Sequence, residues 1–80
     1  MRVTLYGKLA DLVGRDLEVA VDTPCTVAAL RSRMVETWPQ MAQPLGDRRV
    51  RACVGNKLVP DDHPLDGTDD VEFLAPVSGG

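Results

Sequence analysis

Runs with the two-residue period of a β-strand recur along the chain. In the first run Val3 and Leu5 share one face and Thr4 and Tyr6 share the other. The runs cover residues 2–6, 17–22, 50–54, 58–59 and 71–75. Gly14-Arg15 and Gly55-Asn56 supply turns, and the first of them predicts an antiparallel hairpin of the first two strands.

One segment changes to a helical period. Its apolar stripe consists of Val27, Leu30, Met34 and Trp38. Thr26 can cap the helix at its start, and Pro39 marks its end because proline disfavours helical geometry in the residue before it. Residues 40–48 have no periodicity and predict a surface loop, and residues 60–67 are rich in turn-forming types.

The order of these elements predicts an α+β fold of the β-grasp (ubiquitin-like) type, with a mixed sheet of four to five strands and one main helix. Parallel pairing is required somewhere, and the layout favours placing the last strand beside the first. With 80 residues the chain can form one domain, residues 1–80, and we expect residues 77–80 to be a flexible tail.

This layout predicts an apolar patch on the face of the sheet away from the helix. Tyr6 and Leu74 would lie on neighbouring strands and point to that face, and Leu58 could extend the patch. We expect Arg49, Arg51 and Glu72 to border it. Such a surface is typical of protein docking, although single apolar residues on a surface are also ordinary.

Composition narrows the function classes. The net charge of −3 and the absence of a like-charged block disfavour nucleic acid as a partner. The N-terminus does not resemble a signal peptide, no segment resembles a membrane span, and the two cysteines are far apart in sequence. These features predict a cytoplasmic protein with free thiols.

Side chains that could carry catalysis are scarce. Cys25 and Cys53 are better explained as packing residues than as nucleophiles, and His63 lies in an acidic turn where a structural role is favoured over that of a general base. No metal-binding set is expected, since the aspartates of residues 61–70 lack the spacing of a calcium loop.

The chain ends in Gly79-Gly80. Without side chains these residues could enter a channel too narrow for any other type. Four residues from Val77 onward reach at most about 14 Å when extended. From the residues alone, a working tail and a frayed end remain equally open.

Over nearly its whole length the chain resembles the small, sulfur-carrying subunits of molybdopterin synthase. The matching stretches are RVTLYG, KLADLVG, PCTVAALR, VGNKLVPDDHPL and DDVEFLAPVSGG. It departs from that family's pattern in the position of Gly67 in the last turn, and in Ala75, where many relatives carry a proline. Neither difference affects the diglycine.

The resemblance implies that Gly80 is the working residue and Gly79 part of its tail. An adenylyltransferase similar to ubiquitin-activating enzymes would use ATP and magnesium to activate the terminal carboxylate. A sulfur donor protein would convert it to a thiocarboxylate, and the large synthase subunit would transfer the sulfur to a cyclic pyranopterin. The resemblance further implies a heterotetramer, a docking role for Tyr6, Leu58 and Leu74, and no cofactor bound by this chain.

Two alternatives remain open. The chain could carry sulfur for another product, such as the thiazole of thiamine, or it could be a non-catalytic ubiquitin-like module or modifier. An enzyme that uses its own Cys25, Cys53 or His63 is the least favoured hypothesis.

Overall fold

A mixed five-stranded sheet forms the centre of the molecule, which we describe from a computed structural model covering residues 1–76. In spatial order its strands are β2 (Asp16–Glu18), β1 (Arg2–Leu5), β7 (Asp70–Leu74), β4 (Arg51–Val54) and β5 (Lys57–Val59). β1 and β7 pair in parallel, and the other neighbours are antiparallel. The α+β class and the predicted pairing of first and last strands are therefore confirmed.

The main helix, α2 (Val27–Thr37), covers one face of this sheet. Its side chains Val27, Leu30 and Met34 are buried, as the helical period predicted. The Thr26 side chain caps the helix, since its hydroxyl oxygen accepts a hydrogen bond of 3.1 Å from the amide of Ala29. The helix ends at Thr37, just before Pro39, as predicted. Trp38, which the sequence placed in the apolar stripe of the helix, is its C-cap residue instead.

A two-stranded ribbon, β3 (Cys25–Thr26) with β6 (Pro64–Leu65), lies at the start of α2. Next to it the amides of Val27 and Ala28 donate to the carbonyl oxygens of His63 and Asp61, at 3.2 and 2.9 Å. These bonds pair amides that the first turn of a helix leaves without an intrahelical partner. The 60–67 segment thus serves as a cap for the main helix.

Two short helical segments were not predicted from the sequence. α1 (Lys8–Val13) replaces the expected connection after Gly7, and residues 39–45 form a 3-10 turn (Pro39–Met41) followed by α3 (Ala42–Leu45). The prediction of a plain surface loop at 40–48 was wrong, because Met41 and Leu45 are buried in the core. Segments of four to six residues are too short to show a helical period.

The second strand is also shorter than predicted, since it ends at Glu18 instead of continuing to residue 22. Gly55 and Asn56 both have positive φ, at 57° and 65°, which is the geometry of a tight hairpin turn between β4 and β5. Among residues 1–76 no helix combines the length and the apolar character needed to cross a membrane.

The core fills the space between the sheet and the helices. Fifteen buried apolar residues form one cluster, with members from every strand of the main sheet except β2 and from each helical segment. Val3, Leu5, Val71 and Phe73 contribute the helix-facing side of the two central strands and are fully buried. The alternate residues of those strands consequently point to the opposite face, which we call the helix-free face.

Candidate functional site

Two side chains meet at one end of the helix-free face. Tyr6 directly follows β1 and Leu74 ends β7, and both line a hollow of about 220 Å³. Its other lining residues are Gly7, Lys8, Ala75 and Pro76. The two apolar residues that the sequence placed on neighbouring strands therefore do lie side by side.

Leu58 lies on the same face, on the edge strand β5, which is separated from β1 by β7 and β4. It is opposite Cys53 on β4, and Cys53 is opposite Glu72 on β7. Leu58 is 55% exposed and Leu74 is 37% exposed, so both present apolar surface to solvent. We refer to Tyr6, Leu58 and Leu74 together as the apolar patch.

The Tyr6 ring is held in place from two sides. Its hydroxyl donates a hydrogen bond to the Glu72 carboxylate, and the guanidinium of Arg15 lies over the ring at 5.3 Å from its centroid. The hydrogen bond to Glu72 is the main cause that raises the pKa of Tyr6, followed by partial burial and the negative charge of Glu72. Tyr6 is therefore an aromatic group oriented before any partner arrives.

Charged residues surround the hollow. Lys8 lines it, Arg15 stacks on Tyr6, and Arg51 is directly opposite Leu74 in the β4–β7 pair. Within residues 1–76 none of these three cations has a carboxylate within ion-pair distance.

Arg49, in contrast, lies in the turn before β4 rather than on a strand. It binds Asp47 there through its guanidinium, at 2.9 Å. This hydrogen bond lowers the pKa of Asp47. The expected border of the patch is therefore formed by Arg51 and Glu72, with Lys8 and Arg15 in addition.

Sequence reasoning missed the contributions of Lys8 and Arg15. Lys8 was part of a segment with no recognised period, and Arg15 was interpreted only as a turn residue. Arg15 reaches Tyr6 across the hairpin, where the amide of Leu5 donates to the carbonyl of Arg15 at 2.8 Å. A contact across a hairpin depends on the register, which the turn composition alone did not indicate.

The predicted working residues, Gly79 and Gly80, lie outside the described residues. The described chain ends at Pro76, which is itself part of the hollow next to Tyr6 and Leu74. The four residues that follow therefore start at the apolar patch.

The side chains considered as catalytic alternatives are in structural positions. Burial raises the pKa of the Cys25 thiol, which disfavours the thiolate that a nucleophile needs. Cys53 is 9% exposed, and His63 lies in the turn whose carbonyl caps α2. In the described part of the chain no three His, Cys, Asp or Glu side chains are grouped to hold a metal ion.

Comparison with known proteins gives consistent similarities. The model of the ThiS family matches residues 3–80. The molybdopterin synthase sulfur carrier subunit of Escherichia coli (strain K12) is 42% identical over 81 residues, which cover 100% of this chain and 99% of the relative.

Among solved structures, SAMP1 from Haloferax volcanii superposes with a TM-score of 0.85 at 21% identity, covering 99% of this chain and 97% of that one. A chain in the complex of subunits 1 and 2 of the molybdopterin-converting factor from Helicobacter pylori 26695 superposes with a TM-score of 0.67 at 19% identity, covering 99% of this chain and 96% of that one. At these identities the two structures show a shared fold.

Proposed function

The chain belongs to the ThiS family, and from that premise we propose that it is the sulfur-carrier subunit of a molybdopterin synthase. The observation that carries the proposal is the 42% identity, over the whole length of both chains, to the sulfur carrier subunit from Escherichia coli. The working group is the terminal carboxyl of Gly80, which Gly79 joins to the rest of the chain.

The chemistry explains why partners are needed. An α-carboxyl group has a reference pKa of about 3.3–3.7 and is an unreactive carboxylate at neutral pH. An adenylyltransferase joins it to AMP at the expense of ATP, releasing pyrophosphate, with Mg²⁺ held by that enzyme. A sulfur donor protein then supplies the sulfur that displaces AMP, leaving a thiocarboxylate on Gly80. This chain binds neither nucleotide nor metal itself.

The apolar patch would then dock the large synthase subunit, which transfers the sulfur to the cyclic pyranopterin precursor. Its anatomy supports this role, because an apolar centre with a tyrosine and a charged border is typical of protein interfaces. The complex of subunits 1 and 2 from Helicobacter pylori offers a precedent for such an assembly. We propose that two copies of this chain and two large subunits form a heterotetramer in the cytoplasm.

The two alternative functions have weaker support. A carrier for another product, such as the thiazole of thiamine, would use the same tail chemistry, and the family match alone does not separate the two. A ubiquitin-like modifier is suggested by SAMP1, but at 21% identity that likeness concerns the fold.

Intact mass spectrometry tests the proposal directly. The chain is incubated with ATP, Mg²⁺, a sulfide source and the adenylyltransferase of its own organism. We expect a gain of about 16 Da, because sulfur replaces oxygen at the activated carboxyl. The gain should persist in the double variant Cys25→Ala/Cys53→Ala and vanish when Gly80 is deleted.

The Gly80 deletion should leave the fold unchanged, since the core is built from residues 3–73. A gain of about 16 Da that is lost in the cysteine variant would indicate oxidation of a thiol to sulfenic acid instead of a thiocarboxylate, and would contradict the proposal. In a second step the sulfur-loaded chain should lose its added mass to the pyranopterin only when the large subunit is present.

A further inference from the structure

The net charge differs between the two ends of the helix-free face. At the end where the described chain stops, Lys8, Arg15 and Arg51 surround the hollow of Tyr6 and Leu74. The carboxylate near them, Glu72, accepts the hydrogen bond of Tyr6. This end is therefore positive in a chain whose net charge is −3.

The charges at the other end of the same face balance. There the strand register places Arg2 between Glu18 on β2 and Asp70 on β7, and the N-terminal ammonium of Met1 lies 3.0 Å from the Glu18 carboxylate. Asp16 lies between the two ends, opposite Thr4. Two carboxylates thus face two cations at the end of β1 that is remote from the hollow.

We propose that Lys8, Arg15 and Arg51 recognise a partner protein whose contact surface carries carboxylates around an apolar centre. The inference rests on the proposed function, because it concerns the surface that docks the large synthase subunit. The cations lie around an apolar patch instead of converging on one point, which fits an extended protein surface with an acidic rim.

The excess of positive charge around the hollow also orients the partner. A carboxylate rim is attracted to the hollow more than to the balanced end of the face, so the encounter favours the end where Pro76 lies. Charges arranged in this way act mainly on the association rate, by about 10- to 1000-fold, and salt weakens the effect.

The test measures the association rate constant with the purified large synthase subunit of the same organism, by stopped-flow fluorescence. The single tryptophan, Trp38, is the C-cap residue of α2. It provides a fluorescence signal at a position outside the apolar patch. Rates are compared at ionic strengths of about 0.01 M and about 1 M, where the screening length falls from about 30 to about 3 Å.

The test variant is Arg15→Glu/Arg51→Glu, and the matched control is Arg48→Glu/Lys57→Glu. Both variants replace two exposed cations by two carboxylates and have the same net charge. The control residues lie elsewhere, because Arg48 is in the turn before β4 and Lys57 alternates with Leu58 along β5 and so points away from the helix-free face. At low ionic strength we expect the test variant to associate on the order of 100-fold more slowly than the wild type, and the control less than about threefold more slowly. At high ionic strength the three rates should converge.

Equal slowing of both variants would overturn the inference, because it would show an effect of net charge and not of these positions. Lys8→Glu on α1 provides an independent variant outside the sheet, in case Arg51→Glu perturbs β4. Binding of the wild type with no salt dependence would overturn the inference while leaving the proposed function in place. No binding of the wild type at any ionic strength would overturn both.

Discussion

The two faces of the sheet each carry an arginine stacked on an aromatic ring. On the helix-covered face the guanidinium of Arg31 lies 5.2 Å from the centroid of Phe73. On the helix-free face that of Arg15 lies 5.3 Å from the centroid of Tyr6. The geometry is almost the same, but the surroundings give the two pairs different roles.

Arg31 is enclosed and fully engaged. Its side chain is 12% exposed, and it donates to the carbonyl oxygens of Leu45 (2.8 Å) and Val50 and to the Asp61 carboxylate (3.0 Å). It thereby ties α2 to the segment that leads into β4. Arg15 is exposed and has no carboxylate partner within residues 1–76. Burial thus makes one cation a structural connector and leaves the other available to a partner.

The largest expected effect comes from removing the enclosed cation. Arg31→Ala leaves the carbonyls of Leu45 and Val50 without their donor, and each unpaired buried polar group costs about 1–3 kcal/mol. We expect a loss of about 3 kcal/mol in the free energy of unfolding, measured in urea. The control Arg33→Ala removes an exposed ion pair with Glu36 and an exposed hydrogen bond to the Ala20 carbonyl, and should cost at most about 1 kcal/mol. Equal costs would contradict the structural role of the enclosed Arg31.

The next largest effect concerns binding instead of stability. Leu74→Ala truncates the centre of the apolar patch, and we expect affinity for the large synthase subunit to fall about 30-fold, or about 2 kcal/mol, as for an interface hot spot. Leu12→Ala is the matched control, because Leu12 is 45% exposed and does not line the hollow. Its affinity should stay within about threefold of the wild type. Similar losses in both variants would argue against docking through the patch.

The hydrogen bond of Tyr6 gives a spectroscopic prediction. Tyr6 is the only tyrosine, so tyrosinate absorbance reports its ionisation alone. Its pKa should exceed the ordinary 10.0 in the folded protein, and Glu72→Gln should lower it, because the bond to Glu72 is the main cause of the shift.

The raised pKa of Tyr6 makes the free energy of unfolding depend on pH in a definite direction. Because folding raises the pKa of Tyr6, its contribution is present below pH 10.0 and is lost as the pH rises through the folded-state pKa. Unfolding in urea should therefore become easier over that alkaline interval in the wild type, and less so in Glu72→Gln. A pKa unaffected by the substitution would show that the hydrogen bond is not maintained in solution.

The smallest effect is expected for the exposed cation. Arg15→Ala should leave the urea midpoint close to that of the wild type, because an exposed cation–π contact contributes little. It should raise the pKa of Tyr6 further, since the nearby positive charge of Arg15 favours the tyrosinate. A large loss of stability would place Arg15 with Arg31 among the structural residues.

The sequence predicted the fold class and the parallel pairing of β1 with β7, because both follow from element order and period. It also placed Tyr6 and Leu74 on neighbouring strands. It did not predict α1 or α3, whose few residues cannot show a period. The roles of Gly79, Gly80 and the apolar patch stay predictions that the experiments above address.

What the sequence determined by itself is local or depends on order along the chain: strand alternation, the Thr26 cap, the Gly55-Asn56 turn and the terminal diglycine. Only the tertiary structure decided which side chains meet over long distances, such as Tyr6 with Glu72 and Arg31 with Phe73. These contacts depend on strand register and on how the helix lies across the sheet. The hydrophobic period of a single segment predicts neither the register nor the position of the helix, because both arise when separate segments pack together.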